Sequence, residues 1–177
     1  YDISLNKWYF YHSNLFMSGQ QQGGYINSII SDGSIVYFTT INGISSYNYQ
    51  THQIQNFKIA TRQLASIVQD STCIFMGTRT GGLWKFDKKT RGISKIMNTK
   101  ISIPKRIRSL FLDAQNRLII GTDQEGIFRI NRDFTKKETI NNIIINNERA
   151  VFMGICNDTR NGYWATTNKG LVKITDD

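Results

Sequence analysis

Residues 70–87 read DSTCIFMGTRTGGLWKFD, and the reading of this stretch decides the fold. Asp70 precedes an apolar run, Cys73 to Met76, that ends on a small-residue step, Gly77-Thr78. A short loop closes on Gly81-Gly82, and a second run, Leu83 to Phe86, follows. Two apolar runs of four to six residues with turn chemistry between them predict an antiparallel hairpin.

The same pattern lies on either side of it. Residues 32–44 read DGSIVYFTTINGI, 113–127 read DAQNRLIIGTDQEGI, and 158–171 read DTRNGYWATTNKGL. The threonine that closes the first run falls at Thr40, Thr78, Thr122 and Thr166, in steps of 38, 44 and 44 residues. The glycine before the second run falls at Gly43, Gly82, Gly126 and Gly170. Upstream of each aspartate is a third apolar element: INSIISD, LASIVQD, IRSLFLD and FMGICND. Its third position is always small, at Ser28, Ser66, Ser109 and Gly154. Self-similarity at a fixed period sets the architecture before any local propensity does.

Each repeat reads as strands, in the first copy over residues 26–30, 35–40 and 44–49. A weaker and more polar fourth strand is expected over 53–59, and again over 92–97. Four antiparallel strands every ~40–45 residues is the period of a β-propeller blade. The innermost strands crowd an axis, which favours a small residue on them. The second and third strands face blades on both sides, so they run nearly continuously apolar. Glycine before the third strand permits a positive φ. No capped window keeps a 3.6-residue apolar period, so no helix is expected. The fold class is therefore all-β, a set of β-propeller blades built as four repeats of four antiparallel strands. Blade boundaries fall near 25–59, 63–97, 107–140 and 151–177, with an N-terminal outer strand over 5–12.

An aspartate turn, an apolar run ending in small-Thr, Gly-Leu/Ile and an aromatic-Asp end together resemble the two-component regulator propeller repeat. The best copies are FMGTRTGGLWKFD and YWATTNKGLVKIT. The resemblance covers nearly the whole chain. It implies the sensory ectodomain of a hybrid two-component histidine kinase, a membrane receptor that responds to oligosaccharides. It further implies a periplasmic ectodomain on an inner-membrane receptor. The chain departs from the pattern at Thr39, where the other copies carry Gly or Ala, and at Met76 and Ile120, where the family often has an aromatic residue.

Tyr1-Asp2 matches Phe86-Asp87, the end of a third strand, so residues 6–11 (NKWYFY) read as a fourth strand. The C-terminal LVKITDD stops at the end of a third strand. The chain thus begins and ends at one phase of the repeat. Either the N-terminal strand completes the last blade and closes a four-blade unit, or the chain is a piece of a larger propeller. The in-phase cut and the absence of an initiator Met favour the larger array. Self-association or packing against remaining blades is accordingly expected.

Hydrophobic residues make up 40% of the 177, with one proline, which suits a strand-rich folded chain. No run of 18 apolar residues is present. Cys73 opens a second strand and Cys156 lies in a first strand two blades later, so the pair is read as two small core thiols without a disulfide. Of the net charge of +9, residues 85–108 carry +8, nine Lys/Arg against Asp87. Such a stretch can attract nucleic acid, anionic lipid or an acidic sugar. Alternatively it guards a solvated outer edge, where lysine discourages strand pairing. The edge reading fits residues 88–95, and no nucleic-acid partner is expected.

Lys100, Lys105, Arg106 and Arg108 fall elsewhere, on the connection into the third inner strand and on that strand. Loops entering inner strands converge on the axis while the blades hold them rigid. They are residues 12–24, 60–62, 98–106 and 141–149. Candidate ligand-binding residues are Phe16, Lys105, Arg106, Arg108, Asn146, Asn147 and Arg149. Amide and guanidinium groups match sugar hydroxyls, and Phe16 offers a face for a pyranose ring. Asn and Gly are also ordinary turn formers, and residues 141–147 can equally form a short strand.

Catalytic patterns are absent from the sequence. His12 and His52 are its two histidines, and there is no G-x-S-x-G and no metal-ligand spacing. Asp32, Asp70, Asp113 and Asp158 recur once per blade, as turn-capping residues do. No enzymatic activity, cofactor or metal is expected. The sequence thus points to a sensory, oligosaccharide-recognising ectodomain segment. A protein-interaction or dimerisation scaffold without a small-molecule ligand is the alternative, and a polysaccharide-cleaving enzyme comes third.

Overall fold

A computed structural model describes residues 25–40, 43–60, 63–97, 99–141, 144–145, 148–158 and 162–175. Among them there is no helix, and the strands group into meanders in chain order. The first blade is β1 (Ile29–Asp32), β2 (Ile35–Thr40), β3 (Gly43–Asn48) and β4 (Ile54–Lys58). The second is β5 (Leu64–Gln69), β6 (Cys73–Thr78), β7 (Gly82–Asp87) and β8 (Ile93–Lys95). The third is β9 (Ile107–Leu112), β10 (Leu118–Thr122), β11 (Ile127–Ile130) and β12 (Lys137–Asn141). A two-stranded hairpin, β13 (Ile144–Ile145) with β14 (Glu148–Arg149), leads to a last sheet of β15 (Phe152–Asn157), β16 (Tyr163–Thr167) and β17 (Gly170–Ile174). Every sheet is antiparallel with consecutive strands adjacent, and the sheets are not closed into a ring. The hairpin over residues 70–87 pairs as its sequence predicts, Cys73 with Asp87 through to Thr78 with Gly82.

The expected boundaries need two corrections. In the first blade β1 starts at Ile29, three residues later than the expected 26. In the fourth, the threonine hydroxyl that closes the turn belongs to Thr167, not Thr166. Its Oγ1 donates to Gly170 O at 2.9 Å, as Thr40, Thr78 and Thr122 do to Gly43, Gly82 and Gly126. Thr166 pairs with Gly154, as Gly77 pairs with Ser66 and Gly121 with Ser109. The slot before the closing threonine is therefore Thr in the outer two copies and Gly in the middle two. The last sheet shows three strands, and the expected completing strand over 6–11 lies outside the described residues.

The core lies between blades. Ile44 of the first blade packs with Leu64, Ile67 and Met76 of the second. Leu83 and Phe75 of the second pack with Ile107, Leu110 and Ile120 of the third. Ile119 and Ile127 of the third pack with Phe152 and Ala165 of the fourth. All residues of β6 and β10 are buried, because each has a neighbouring blade on both faces. In β16, Thr166 is exposed, for among the described residues nothing covers it. Each fully buried Leu, Ile or Phe is worth roughly 1.5–3 kcal/mol.

The small position on the inner strands has a second use beyond fitting a crowded axis. Ser28 Oγ accepts from Ile67 N at 3.2 Å, and Ser66 Oγ accepts from Leu110 N at 3.1 Å. Ser109 Oγ reaches Phe152 O at 3.4 Å. Neighbouring inner strands are thereby tied across each blade boundary. Gly121 makes room for the next strand: a Cβ there would lie 2.3 Å from Ser109 Oγ and 2.8 Å from Phe152 Cβ.

The outer ends of the blades are tied by charge. Asp70 Oδ1 accepts from Thr72 N and Cys73 N, at 2.8 and 2.6 Å, and its other oxygen accepts from Arg132 of the third blade. Lys88 Nζ likewise reaches back to Asp32 at 2.8 Å and to Asp70 O at 2.7 Å. Its side chain is only 13% exposed. Lys88 is therefore mortar between blades and not the solvated edge guard expected of residues 88–95. Arg132 also stacks over Phe75, its guanidinium carbon 4.1 Å from the ring centre. Asp113 accepts locally from Gln115 N, Arg117 N and Arg117 Nε within 3.0 Å, and across the blade boundary from Tyr163 Oη at 3.4 Å.

Cys73 is buried as expected. Cys156, expected in the core, is exposed, and no disulfide joins them.

Candidate functional site

The turns between second and third strands lie beside the segments that enter the inner strands. This neighbourhood is written in backbone hydrogen bonds. Arg79 N donates to Gln63 O at 3.1 Å, Asp123 N to Arg106 O at 3.2 Å, and Asn168 N to Val151 O at 3.2 Å. These three bonds are equivalent, one per blade. Each turn is further stiffened by its threonine: Thr78 Oγ1 accepts from Gly81 N at 2.7 Å and Thr122 Oγ1 from Glu125 N at 2.9 Å. The backbone here needs little ordering when it meets a ligand.

Of the sequence-predicted residues, the structure gathers three around one turn, residues 122–126. Arg106 receives Asp123 N on its carbonyl. Arg108 Nε donates to the Asp123 carboxylate. Arg149 Nη1 donates to Gln124 O at 3.1 Å. Lys105 precedes Arg106, and its carbonyl accepts from Gly82 N of the second blade at 3.0 Å. Lys105, Arg106 and Arg149 are exposed, whereas the Arg108 side chain is 30% exposed and engaged within its own blade. Phe16, Asn146 and Asn147 lie outside the described residues. The short-strand alternative for residues 141–147 is met in part, since Ile144–Ile145 pairs with Glu148–Arg149.

The site's electrostatics are mixed rather than uniformly basic. The Arg108 and Arg149 side chains reach a turn that carries Asp123 and Glu125, and exposed Lys105 and Arg106 lie on the adjoining entry segment. Asp123 and Gln124 were missed in the sequence because DQEG occupies a turn slot, where acidic and amide residues serve local geometry. The pattern that could have revealed them is the insertion itself: Thr122 and Gly126 are separated by three polar residues, while Thr40 and Gly43 are separated by two.

At the opposite ends of the blades, Asp70 titrates below the ordinary carboxylate range. Burial alone would raise it, but the Cys73 and Thr72 amides, the Thr72 hydroxyl and the Arg132 charge outweigh that effect. His52 is exposed on the β3–β4 turn, with Nδ1 2.9 Å from Tyr47 Oη. Among the described residues no cluster of His, Cys, Asp and Glu could hold a metal ion. No helix among them is long and apolar enough to cross a membrane.

No family model and no curated protein sequence matches the chain. Solved structures do. The chain is similar to the extracellular domain described as that of the hybrid two-component system BT4673 of B. thetaiotaomicron, with a TM-score of 0.74 and 19% identity. It is similar also to the corresponding domain of BT3049 of the same organism, with a TM-score of 0.73 and 16% identity. Both matches cover 90% of this chain but only 22% and 23% of the other, so the chain spans under a quarter of their length. The computationally designed Ika4 protein matches over 90% of this chain and 97% of its own, with a TM-score of 0.64 and 10% identity. These likenesses establish the fold, an all-β array of propeller-like blades.

Proposed function

We propose that this chain is a blade array from the sensory ectodomain of a two-component receptor, and that its turn-and-entry face binds an acidic oligosaccharide. The observation that carries the reading is the meeting of the Arg106 backbone and the Arg149 side chain at the turn after β10. The Arg149 guanidinium bonds the turn directly, and the backbone of a separate entry segment, bonded to the same turn, carries exposed Arg106 and Lys105 beside it. Guanidinium groups present paired donors that match carboxylates, and the neighbouring turn amides and carbonyls match hydroxyls. Asp123 and Glu125 beside them disfavour a densely charged polymer such as nucleic acid and leave room for a ligand of alternating hydroxyl and carboxylate groups. Support for the sensory context comes from the likeness to extracellular domains of hybrid two-component systems. A location outside the inner membrane follows from the same reading.

Titration calorimetry with uronic-acid and neutral oligosaccharides tests it. Saturable binding of the acidic series is expected, with affinity falling ~10–100-fold in Arg106→Ala/Arg149→Ala, the loss of about 1.5–3 kcal/mol that a charge-assisted bond carries. Equal binding of neutral and acidic sugars, or no effect of the double variant, overturns the site assignment. Release of cleaved product over many turnovers would instead make the chain an enzyme. A scaffold function without a small ligand is favoured by a different feature, the bare faces of the first and fourth blades.

A further inference from the structure

The inner strands β5, β9 and β15 each carry one extra residue where they face the turn between second and third strands. Leu64 pairs with Thr78 and Ser66 with Gly77, Ile107 with Thr122 and Ser109 with Gly121, Phe152 with Thr167 and Gly154 with Thr166. The bulged residues are therefore Ala65, Arg108 and Met153, and a bulge re-aims the side chain it carries. Across from them, the residue after the closing threonine is Arg79, Asp123 or Asn168. In the third blade these two slots hold an ion pair, Arg108 with Asp123. In the fourth, Asn168 turns its amide oxygen back onto Val151 N at 3.0 Å. In the second blade the slots hold Ala65 and Arg79. Arg79 is exposed, its backbone amide is fixed to Gln63 O, and among the described residues no side chain pairs with its guanidinium.

The charge around the second-blade turn is of one sign. Gly82 N, at the end of that turn, donates to Lys105 O, and Lys95 Cε lies 3.9 Å from where a Cβ on Gly82 would stand. Lys95 and Lys105 are both exposed. Residues 33–112 contain two acids, Asp70 and Asp87. Both sit at the far end of the blade, for Cys73 pairs with Asp87 at one end of the β6–β7 ladder and Thr78 with Gly82 at the other. The Asp70 carboxylate is engaged there by Arg132 and by the Thr72 and Cys73 amides. No carboxylate of this stretch therefore neutralises Arg79.

Building on the acidic-oligosaccharide reading above, we propose that Arg79 is a second acid-binding residue of the candidate site, so that the ligand lies across the boundary between second and third blades. One carboxylate meets the turn bearing Arg149 and its neighbour Arg106, and another meets Arg79. A guanidinium takes a carboxylate through two parallel N–H donors, and the flanking lysines raise the attraction for an anion. Stacked sheets lie about 10 Å apart, a gap that a trisaccharide bridges. The turn is already held on both sides, by Gln63 O and by Lys105 O, so its backbone loses little freedom on binding.

Titration calorimetry with trigalacturonate and with its carboxyl-reduced, neutral form tests the assignment. Arg79→Ala should weaken trigalacturonate binding ~10-fold, as loss of a charge-assisted bond does, and leave the neutral sugar unchanged. The salt dependence of the acidic sugar should become shallower. Arg79→Lys should recover part of the loss, since the charge stays and the paired donors do not. Thermal unfolding of both variants should match wild type, because the backbone bond to Gln63 is kept. Unchanged trigalacturonate affinity in Arg79→Ala, beside a loss in Arg106→Ala/Arg149→Ala, overturns the role of Arg79 and leaves the underlying reading in place. So does an equal loss for both sugars, which would make Arg79 a structural residue of the turn. Wild type that binds neither sugar, or both alike, removes the reading and the role of Arg79 together.

Discussion

The Oγ of Ser66, on the inner strand of the second blade, accepts a hydrogen bond from Leu110 N on the inner strand of the third, at 3.1 Å. The tie crosses 44 residues of sequence and a blade boundary. It gives the small inner-strand position a chemical reason beside the steric one.

Replacing Ser66 by Ala should therefore cost stability without disturbing the packing. A partly buried amide loses its acceptor, a loss of about 1–2 kcal/mol. Ser109→Ala should cost less, since its bond to Phe152 O is long at 3.4 Å. Urea unfolding of the two variants measures the difference, and equal costs would deny the cross-blade bond its role.

Gly121→Ala should be among the most damaging small changes in the chain. Its Cβ would press on Ser109 Oγ and Phe152 Cβ, at 2.3 and 2.8 Å, where an inner strand cannot retreat. Overpacking of this kind costs about 1–3 kcal/mol. Gly33→Ala meets no atom within 4 Å and pays only for its φ of +56°, about 1–2 kcal/mol. Thermal melting should rank them in that order.

Acid should loosen the boundary between second and third blades. Asp70 is held below its ordinary carboxylate value in the folded chain, so the folded state binds fewer protons than the unfolded one across that window. The stability it supplies is full above the unfolded value, near pH ~4, and is lost as pH falls through the folded one. Asp70→Asn should remove about 2 kcal/mol at neutral pH and flatten the acid limb. Denaturant midpoints taken from neutral pH down to pH ~2.5 follow this; an unchanged slope in the variant would place the acid sensitivity elsewhere.

Asp123 restrains Arg108 at the candidate site. Asp123→Asn should release that guanidinium and strengthen binding of an acidic oligosaccharide roughly 3–10-fold, with a steeper dependence on salt. A neutral sugar should bind the variant and the wild type alike. Calorimetry at two ionic strengths separates these outcomes.

The two thiols should differ in reach. Cys156 is exposed and Cys73 buried. One equivalent of an aromatic disulfide reagent should react with the native chain, and a second only after unfolding. Rapid reaction of both would put Cys73 at the surface.

The meander was legible in residues 70–87 because a buried strand with blades on both faces must be apolar without interruption, and turns must carry Gly, Asp or Asn. The phase of the last copy was not. Thr166 and Thr167 are adjacent and identical, and only the hydrogen bond to Gly170 says which closes the turn. Lys88 was also misread, because its partner Asp32 is 56 residues away and nothing local marks a lysine that turns inward. Cys156 sits on a strand whose sequence resembles its buried counterparts. Its exposure depends on what packs on that face of the blade, which no window of sequence contains. At the candidate site Arg106 and Arg149 were legible as entry-segment cations, while the restraint on Arg108 depends on a turn fifteen residues ahead.

The carbonyls of Lys105 and Arg106 are consecutive along the chain, yet one is bonded to the second blade through Gly82 and the other to the third through Asp123. Two adjacent peptide units, meeting at the Arg106 Cα, thus form a pin between two plates. Any tilt of one plate against the other twists that pin, and with it the two cationic side chains it bears. Whatever grips those side chains has leverage on the dihedral between the blades.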